Sequence, residues 1–221
     1  MYIPKHYLEE DWEQAQYLIE HYPLATVVTS FGEEGIIANH FPLLYKEDKE
    51  TGKKYLIAHI AKKNHQIPSL QQNDDILVIF QSHNSYISPS YYPTKAETHK
   101  FVPTWDFASV HIKGKSRLID DFDFVRDQLN ALTTQQEKGR AEPWKVSEAP
   151  EPYLKAMQKA IIGLEIEIDS FSCKYKFEQA MPRKEIDGVI KGLAEDKLPE
   201  VSELTKTANE RAELKKSKAT N

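Results

Sequence analysis

The chain has 221 residues, of which 40% are hydrophobic and 29% are charged, and its formal net charge is −5 at pH 7. This composition predicts one globular domain of ordinary size, and the acidic balance disfavours the broad basic face with which many proteins bind nucleic acid. The single cysteine, Cys173, excludes an internal disulfide framework. Because neither a signal peptide nor an apolar run of about 18 residues is present, we expect a cytoplasmic protein with no membrane partner, or a nuclear one if the source is eukaryotic.

The spacing of apolar residues predicts a first helix over residues 9–22, which Pro23 ends. Beyond Pro23 the composition changes to that of strands, and the predicted strands are residues 24–30, 35–45, 54–61, 76–80, 107–119, 164–169 and 173–177. Further helices are predicted over residues 64–72, 122–132, 153–159 and 182–193. Gly32 and residues 73–75 are predicted to lie in connections and turns, and residues 133–152 in a polar loop.

These elements predict the fold class. The strands and helices do not alternate as β-α-β, so we expect a mostly antiparallel sheet, closed or half-closed into a barrel. Residues 76–80 are apolar at every position, which predicts a strand buried on both faces. After residue 197 the chain is polar and charged, which favours a frayed helix or a disordered tail. We therefore predict one domain over residues 1–196 and a charged tail over residues 197–221.

A basic segment follows the predicted strand at residues 54–61. It contains Lys62, Lys63 and Asn64 at the expected start of a helix. The ammonium groups, together with the free amide donors of a helix N-terminus, favour an anion such as phosphate. The alternative is a solvated basic pair, which is common on protein surfaces.

A second group of candidates lies between residues 81 and 114, where hydroxyl groups and aromatic rings are dense. These candidates are Gln81, Tyr86, Ser88, Thr104, Trp105 and Ser109. Their side chains combine donors and acceptors with aromatic surface, next to core strands that would position them well. This composition is typical of a pocket for a flat molecule with a polar tail. The alternatives are a polar strand end with a tight Ser-Pro turn, and a Trp that caps the core.

Several motifs of catalysis and cofactor binding are absent from the sequence. The histidines on or beside predicted strands lack the paired spacing of a metal site, so no metal is predicted; they are His40, His59, His83 and His111. Cys173 lies on the inward phase of an alternating strand, where a thiol is a small core residue. Neither a Gly-x-Ser-x-Gly elbow nor a glycine-rich phosphate loop occurs, so no catalytic residue is assigned and side chains would have to hold any phosphate.

Five segments of the chain resemble those of one protein family and follow the same order. They are Met1-Tyr2-Ile3-Pro4-Lys5-His6, Asn39-His40-Phe41-Pro42-Leu43-Leu44, His59-Ile60-Ala61-Lys62-Lys63-Asn64, Tyr86-Ile87-Ser88-Pro89-Ser90-Tyr91-Tyr92 and Val102-Pro103-Thr104-Trp105. The chain is similar to the PaiB-like proteins, which are labelled FMN-binding negative transcriptional regulators. This resemblance implies a mainly β fold, a six-stranded antiparallel split β-barrel of Greek-key type with flanking helices, that pairs as a homodimer. It also implies FMN at the dimer interface, with its phosphate held by basic and hydroxyl side chains.

The resemblance also carries over to individual positions. Lys62 stands where the family has Arg, and Lys keeps the charge but lacks the bidentate fork that matches a phosphate. Asn64 matches the family's Asn. The strand that contacts the flavin in related proteins is matched by Thr104, Trp105 and Ser109. The sequence departs from the family pattern at Ser82, Tyr91, Asp106, Glu178 and Ala180.

Among these departures, Asp106 replaces an Asn. An added carboxylate is unfavourable near a phosphate or a reduced flavin unless it points away.

Three functions are compatible with these observations. The first is an FMN-dependent oxidoreductase that takes electrons from a reduced nicotinamide or flavin donor, since the flavin supplies the redox chemistry and the protein needs no acid–base pair of its own. The second is a transcriptional regulator, acting directly or through a partner, in which the flavin is a sensor or is absent. Direct binding of DNA is disfavoured by the acidic composition and by the absence of a helix-turn-helix motif. The third is a flavin-free scaffold for protein contacts.

Overall fold

The structure is a computed structural model that describes residues 1–31, 35–72 and 76–220. Gly32 and residues 73–75, predicted in connections and turns, lie outside the described residues. The helices are α1 (Trp12–His21), α2 (Ile67–Gln71), α3 (Lys95–Thr98), α4 (Phe122–Glu137), α5 (Glu151–Gln158), α6 (Arg183–Glu195) and α7 (Pro199–Thr220). The strands are β1 (Leu8–Glu9), β2 (Leu24–Phe31), β3 (Gly35–Pro42), β4 (Leu44–Glu47), β5 (Lys54–Ala61), β6 (Ile76–Gln81), β7 (Ser85–Ile87), β8 (Thr104–Ile119) and β9 (Ile161–Lys176). Within the part of the chain that the structure describes, no helix has both the length and the apolar character needed to cross a membrane.

The chain divides into two compact units. Unit 1 comprises Met1–Gln14, Gln81–Val110 and Ser172–Asn221, and unit 2 comprises Ala15–Phe80 and His111–Phe171. Strands β8 and β9 have 16 residues each and contribute residues to both units.

The strands of each unit pair antiparallel. In unit 2 the strand order is β3-β2-β6-β8-β9-β5-β4, and β2 pairs with β3 from Leu24 opposite Pro42 to Phe31 opposite Gly35. In unit 1, β1 pairs with β9 and β7 pairs with β8. The predicted class, a mainly β fold with an antiparallel sheet and flanking helices, is confirmed. The described residues form nine strands rather than six, because β1, β4 and β7 have only two to four residues and too little sequence to show a period.

Strand β6 is packed more tightly on one face than on the other. Ile76, Val78 and Phe80 are buried, whereas Leu77 and Ile79 are half-buried. The prediction of full burial on both faces is therefore wrong. An all-apolar run carries no alternation, so the sequence alone does not indicate which face is packed.

Strand β9 is continuous where two strands were predicted. Its buried positions are Leu164 and Ile166 in unit 2, but Cys173 and Tyr175 in unit 1. Residues 169–170 are exposed between these two sets. The buried side chains change from even-numbered to odd-numbered positions along the strand. The sequence therefore shows two separate alternating patterns, although the backbone forms one strand.

Helix α7 follows the helical one of the two alternatives predicted for the chain after residue 197. Residues Pro199–Thr220 form a helix of 22 residues. Val201, Leu204 and Ala208 are buried along one side of it, and Ser202 Oγ donates a hydrogen bond of 2.9 Å to the carbonyl oxygen of Ile190 in α6. The spacing of i, i+3 and i+7 is that of an amphipathic helix, but one of its three members is a small Ala. The burial of these residues agrees with a helix and not with a disordered tail, while the domain boundary at residue 196 stays a prediction.

Candidate functional site

Two aromatic rings stand on the paired strands β7 and β8 of unit 1. Tyr86 lies opposite Trp105 in the register, and their ring centroids are 6.3 Å apart in an edge arrangement. Both are large exposed side chains, at 47% for Tyr86 and 52% for Trp105. Trp105 Nε1 donates a hydrogen bond of 2.9 Å to Asn84 Oδ1, which fixes the indole. Trp105 therefore does not cap the core, and the pair presents aromatic surface to solvent.

Lys176 joins these strands as a residue that the sequence analysis did not single out. Its Nζ donates hydrogen bonds of 2.6 Å to both Thr104 Oγ1 and the carbonyl oxygen of Trp105. It also lies 3.4 Å from Asp106 Oδ1. Lys176 alternates along β9 with the inward-facing Cys173 and Tyr175. This alternation is the one feature of the sequence that indicates a side chain on the outer face of the strand. We call the surface formed by Tyr86, Thr104, Trp105 and Lys176 the β7–β8 face.

The other candidates of unit 1 do not belong to this face. Ser88 Oγ accepts a hydrogen bond of 3.2 Å from the Ser90 amide, which is the tight Ser-Pro turn given above as the alternative. Ser109 is 4% exposed and lies inside unit 1, and Gln81 is exposed at the end of β6. The structure thus brings together Tyr86, Thr104 and Trp105. Roles for Gln81, Ser88 and Ser109 stay predictions.

Beneath the β7–β8 face lies a pair of buried carboxyl groups, Asp106 and Glu178. Asp106 is fully buried and Glu178 is 4% exposed. Tyr92 donates its phenolic hydrogen to Glu178 Oε2 over 3.0 Å. Among the described residues no N–H or O–H group donates to Asp106 Oδ2, and the neighbouring Glu178 carboxyl group raises the pKa of Asp106 by its charge and by a hydrogen bond. A hydrogen bond between two carboxyl groups requires a proton on one of them.

Burial and charge place this proton on Asp106. Burial raises the pKa of Asp106 most, the neighbouring charge of Glu178 raises it further, and the ammonium of Lys176 opposes both. Glu178 adopts a φ of 65°, in the left-handed region that non-glycine residues rarely occupy. Such conformations cost free energy and are concentrated at functional sites. Asp106, which replaces the family's Asn, is therefore kept close to neutral.

We expect the wild-type chain to lose stability relative to the variant Asp106→Asn as the pH rises. A carboxyl group whose pKa is raised on folding stabilises the fold fully below its unfolded pKa, about 3.9 for Asp. This contribution is lost as the pH rises through the folded value. Asn carries no titrating proton, but it can donate to Glu178 and accept from Lys176. From about pH 5 to about pH 8, the free energy of unfolding of the wild type, measured with urea, should fall by about 1–3 kcal/mol relative to that of Asp106→Asn.

The matched control for this experiment is Asp120→Asn, because the Asp120 side chain is 69% exposed. Its free energy of unfolding should follow the wild-type pH dependence. An Asp106→Asn variant with the same pH slope as the wild type would contradict the assignment of the buried proton.

In unit 2 the side chains of Lys62 and Asn64 contact other residues of the same chain. Lys62 Nζ lies 2.7 and 2.9 Å from the two carboxylate oxygens of Asp120. Asn64 Oδ1 accepts a hydrogen bond of 2.8 Å from the Gln66 amide, so this side chain shapes the turn before α2. Helix α2 begins only at Ile67 and has five residues. Lys63 is exposed. A phosphate-binding role for Lys62, Lys63 and Asn64 stays a prediction.

Cys173 and His59, two further residues of types that often take part in catalysis, have contacts typical of structural residues. Burial raises the pKa of the Cys173 thiol to about 12, so it is not a nucleophile. His59 Nδ1 lies 2.6 Å from Gln128 Oε1. Within the described ranges, no group of three or more His, Cys, Asp or Glu side chains is arranged to hold a metal ion.

Comparisons with known proteins match most of the chain. The family model with the description "Putative FMN-binding domain" matches residues 1–170. "Uncharacterized protein YKL070W" of Saccharomyces cerevisiae is 42% identical over 161 residues, which cover 64% of this chain and 94% of that protein. "Protease synthase and sporulation protein PAI 2" of Bacillus subtilis is 29% identical over 205 residues, covering 92% of this chain and 94% of that protein.

The fold has solved counterparts. The FAD and heme binding protein from Mycobacterium smegmatis matches with a TM-score of 0.56 at 19% identity, covering 76% of this chain and 73% of that chain. At this identity the likeness shows the fold alone. It confirms the predicted split-barrel class.

Proposed function

The chain belongs to the family of FMN-binding domains, and from this premise we propose that it binds FMN against the β7–β8 face of unit 1. The predicted PaiB-like resemblance and the predicted FMN cofactor both agree with the family match. The observation that carries the proposal is the half-exposed aromatic pair, Tyr86 and Trp105, held by strand pairing and by a hydrogen bond to the indole. A flat ring system stacks well on such rigid aromatic surface.

The polar groups of the same face suit a flavin. Thr104 already accepts a hydrogen bond from Lys176, so its own hydroxyl hydrogen is available to a ring oxygen. The Lys176 ammonium favours negative charge, which a flavin gains on reduction. Asp106 does not oppose this, because its buried carboxyl holds a proton and its Oδ1 faces Lys176. FMN supplies the redox chemistry when bound, and the protein supplies binding, orientation and electrostatics.

We propose further that the chain pairs as a homodimer with the flavin at the subunit interface. Exposed apolar side chains at and beside the β7–β8 face support this arrangement. Val102 is 75% exposed, two residues before Thr104, and Tyr86 and Trp105 are about half exposed. Contiguous apolar surface of this kind marks contact sites for ligands or proteins. Gln81, Ser88 and Ser109 of unit 1 are the proposed groups for the polar tail. Lys62, Lys63 and Asn64 of unit 2 are proposed separately as a phosphate site.

The test is a fluorescence titration of FMN with the purified chain, together with its visible spectrum. Trp105→Ala should weaken FMN binding by about tenfold or more, since an aromatic contact contributes about 1 kcal/mol beyond the area that it buries. Lys176→Gln should weaken binding by a similar factor, and Lys62→Ala tests the phosphate assignment separately. The matched control is Trp144→Ala, because Trp144 is an equally exposed Trp of unit 2, at 45%. Unchanged affinity in Trp105→Ala would show that the ring lies elsewhere.

If FMN binds, the activity that we propose is transfer of electrons from a reduced nicotinamide or flavin donor to an acceptor. The absence of a nucleophile among the described candidates, with Cys173 buried, agrees with chemistry that the cofactor performs. The second candidate is a transcriptional regulator in which flavin is a sensor or is absent. It is favoured by the name of the Bacillus subtilis relative, which is called a protease synthase and sporulation protein. A chain that neither retains FMN nor quenches its fluorescence would favour this second function.

A further inference from the structure

Unit 1 contains a cavity that none of the residues proposed for FMN lines. Its volume is about 640 Å³, within the usual range for small-molecule sites. It is lined by the N-terminal segment Lys5–Glu9 and by residues of α7 between Ala208 and Lys216. Tyr7 and Tyr175 are the aromatic residues of its lining. Small side chains at Ala208 and Ala212 leave the space open.

The charges around this cavity are mostly positive. Its basic side chains are Lys5, His6, Arg211, Lys215 and Lys216, and its acidic side chain is Glu9. Glu9 already contacts Lys215. Burial, followed by the charges of Glu178 and Asp106, raises the pKa of Tyr7, so this phenol adds no negative charge. The cavity is thus electrostatically suited to an anion.

The contacts of Arg211 indicate which kind of anion the cavity suits. Its guanidinium carbon lies over the Tyr175 ring, 4.7 Å from the ring centroid, where a cation–π contact holds the group against the aromatic side chain. Its Nε is buried, and among the described residues no acceptor forms a hydrogen bond with it. A buried N–H group without an acceptor costs free energy and requires an explanation. A planar guanidinium pairs best with a carboxylate or a phosphate, through two parallel hydrogen bonds.

We propose that this cavity binds a small carboxylate that carries an aromatic or other planar apolar group. The carboxylate pairs with Arg211 and so satisfies the buried Nε–H. The planar group lies between the Tyr7 ring and the small side chains of α7. A singly charged carboxylate suits the site better than a phosphate because Glu9 adds a negative charge to the same wall.

The probe for the test is naphthoate, titrated against the full chain by ligand-observed NMR. Naphthalenemethanol, which has the same rings and no charge, is titrated in parallel. We expect naphthoate to bind at least tenfold more tightly than the alcohol. Arg211→Gln should remove this preference, whereas Lys206→Gln should keep it, because Lys206 is an exposed Lys of α7 that does not line the cavity.

A second variant tests the cavity without altering its charge. Ala212→Met places a larger side chain in the cavity and should weaken the binding of both probes by at least tenfold. Circular dichroism verifies the fold of every variant. The proposal is overturned if naphthoate does not bind at millimolar concentration, if Arg211→Gln keeps the preference, or if inorganic phosphate displaces the probe equally well. Displacement of naphthoate by saturating FMN also overturns it, since the cavity would then belong to the flavin. Failure of FMN to bind leaves naphthoate binding unaffected, so the two proposals fail separately.

Discussion

Deletion of helix α7 is expected to destabilise the chain by at least about 5 kcal/mol, a loss comparable to the whole stability of many domains. The helix buries Val201, Leu204 and Ala208, and because it packs against α6, its removal also exposes surface of α6. Each aliphatic side chain that returns to water costs about 1.5–3 kcal/mol. Urea unfolding of the chain ended at residue 198 measures the loss. A truncated chain as stable as the full one would show that α7 is a dispensable tail.

Two point variants of α7 separate packing from helix formation. Leu204 is 6% exposed and Leu214 is 60% exposed on the same helix. Leu204→Ala should lower the free energy of unfolding by about 2–4 kcal/mol, whereas Leu214→Ala should change it by less than about 0.5 kcal/mol. Equal effects at the two positions would contradict the packing of α7 on its inner side.

Gly114→Ala is the second change with a large expected effect, a loss of at least about 3 kcal/mol. A Cβ atom at Gly114 would lie 2.1 Å from the carbonyl oxygen of Glu167 and 3.0 Å from Ile166 Cγ2. The first contact is with the backbone of the neighbouring strand β9, which cannot move aside as a flexible side chain can. The new methyl group therefore forces β8 and β9 apart within unit 2 and weakens their hydrogen bonds.

The control for Gly114→Ala is Lys113→Ala on the same strand, where the side chain is exposed. Thermal unfolding should leave the control within a few degrees of the wild type and lower the midpoint of Gly114→Ala by about 5 °C or more. Retention of the wild-type midpoint in Gly114→Ala would contradict the close approach of the two strands.

The sequence predicted elements well where periodicity and boundary residues agreed. The strand predicted at 54–61 is β5 without any change of bounds, and the helix predicted at 182–193 is α6 to within two residues. Pro23 follows α1 and Pro182 precedes α6, and each sets φ near −65°, which fixes where the one helix stops and the other starts. Local sequence was sufficient here because the buried face of each element repeats with a clear period.

Prediction failed where tertiary contacts decide the outcome. In α7 the buried side combines two aliphatic residues and one Ala with the polar Ser202, Thr205 and Asn209, so its sequence does not differ from that of a polar tail. In β9 the buried parity changes along one strand, so the pattern divides. Lys176 has the composition of any outward residue, and its importance depends on Thr104 and Asp106, which are about 70 residues away in sequence.

By itself, the sequence determined the fold class, the family and the aromatic segment from Tyr86 to Trp105, because alternation, proline positions and motif order are local properties of the chain. Only the tertiary structure decided that Trp105 is exposed, that Asp106 lies buried beside Glu178, and that Arg211 lines a cavity. Each of these depends on groups distant in sequence that burial brings within hydrogen-bonding reach. Burial is also the physical reason that the carboxyl group of Asp106 is kept close to neutral.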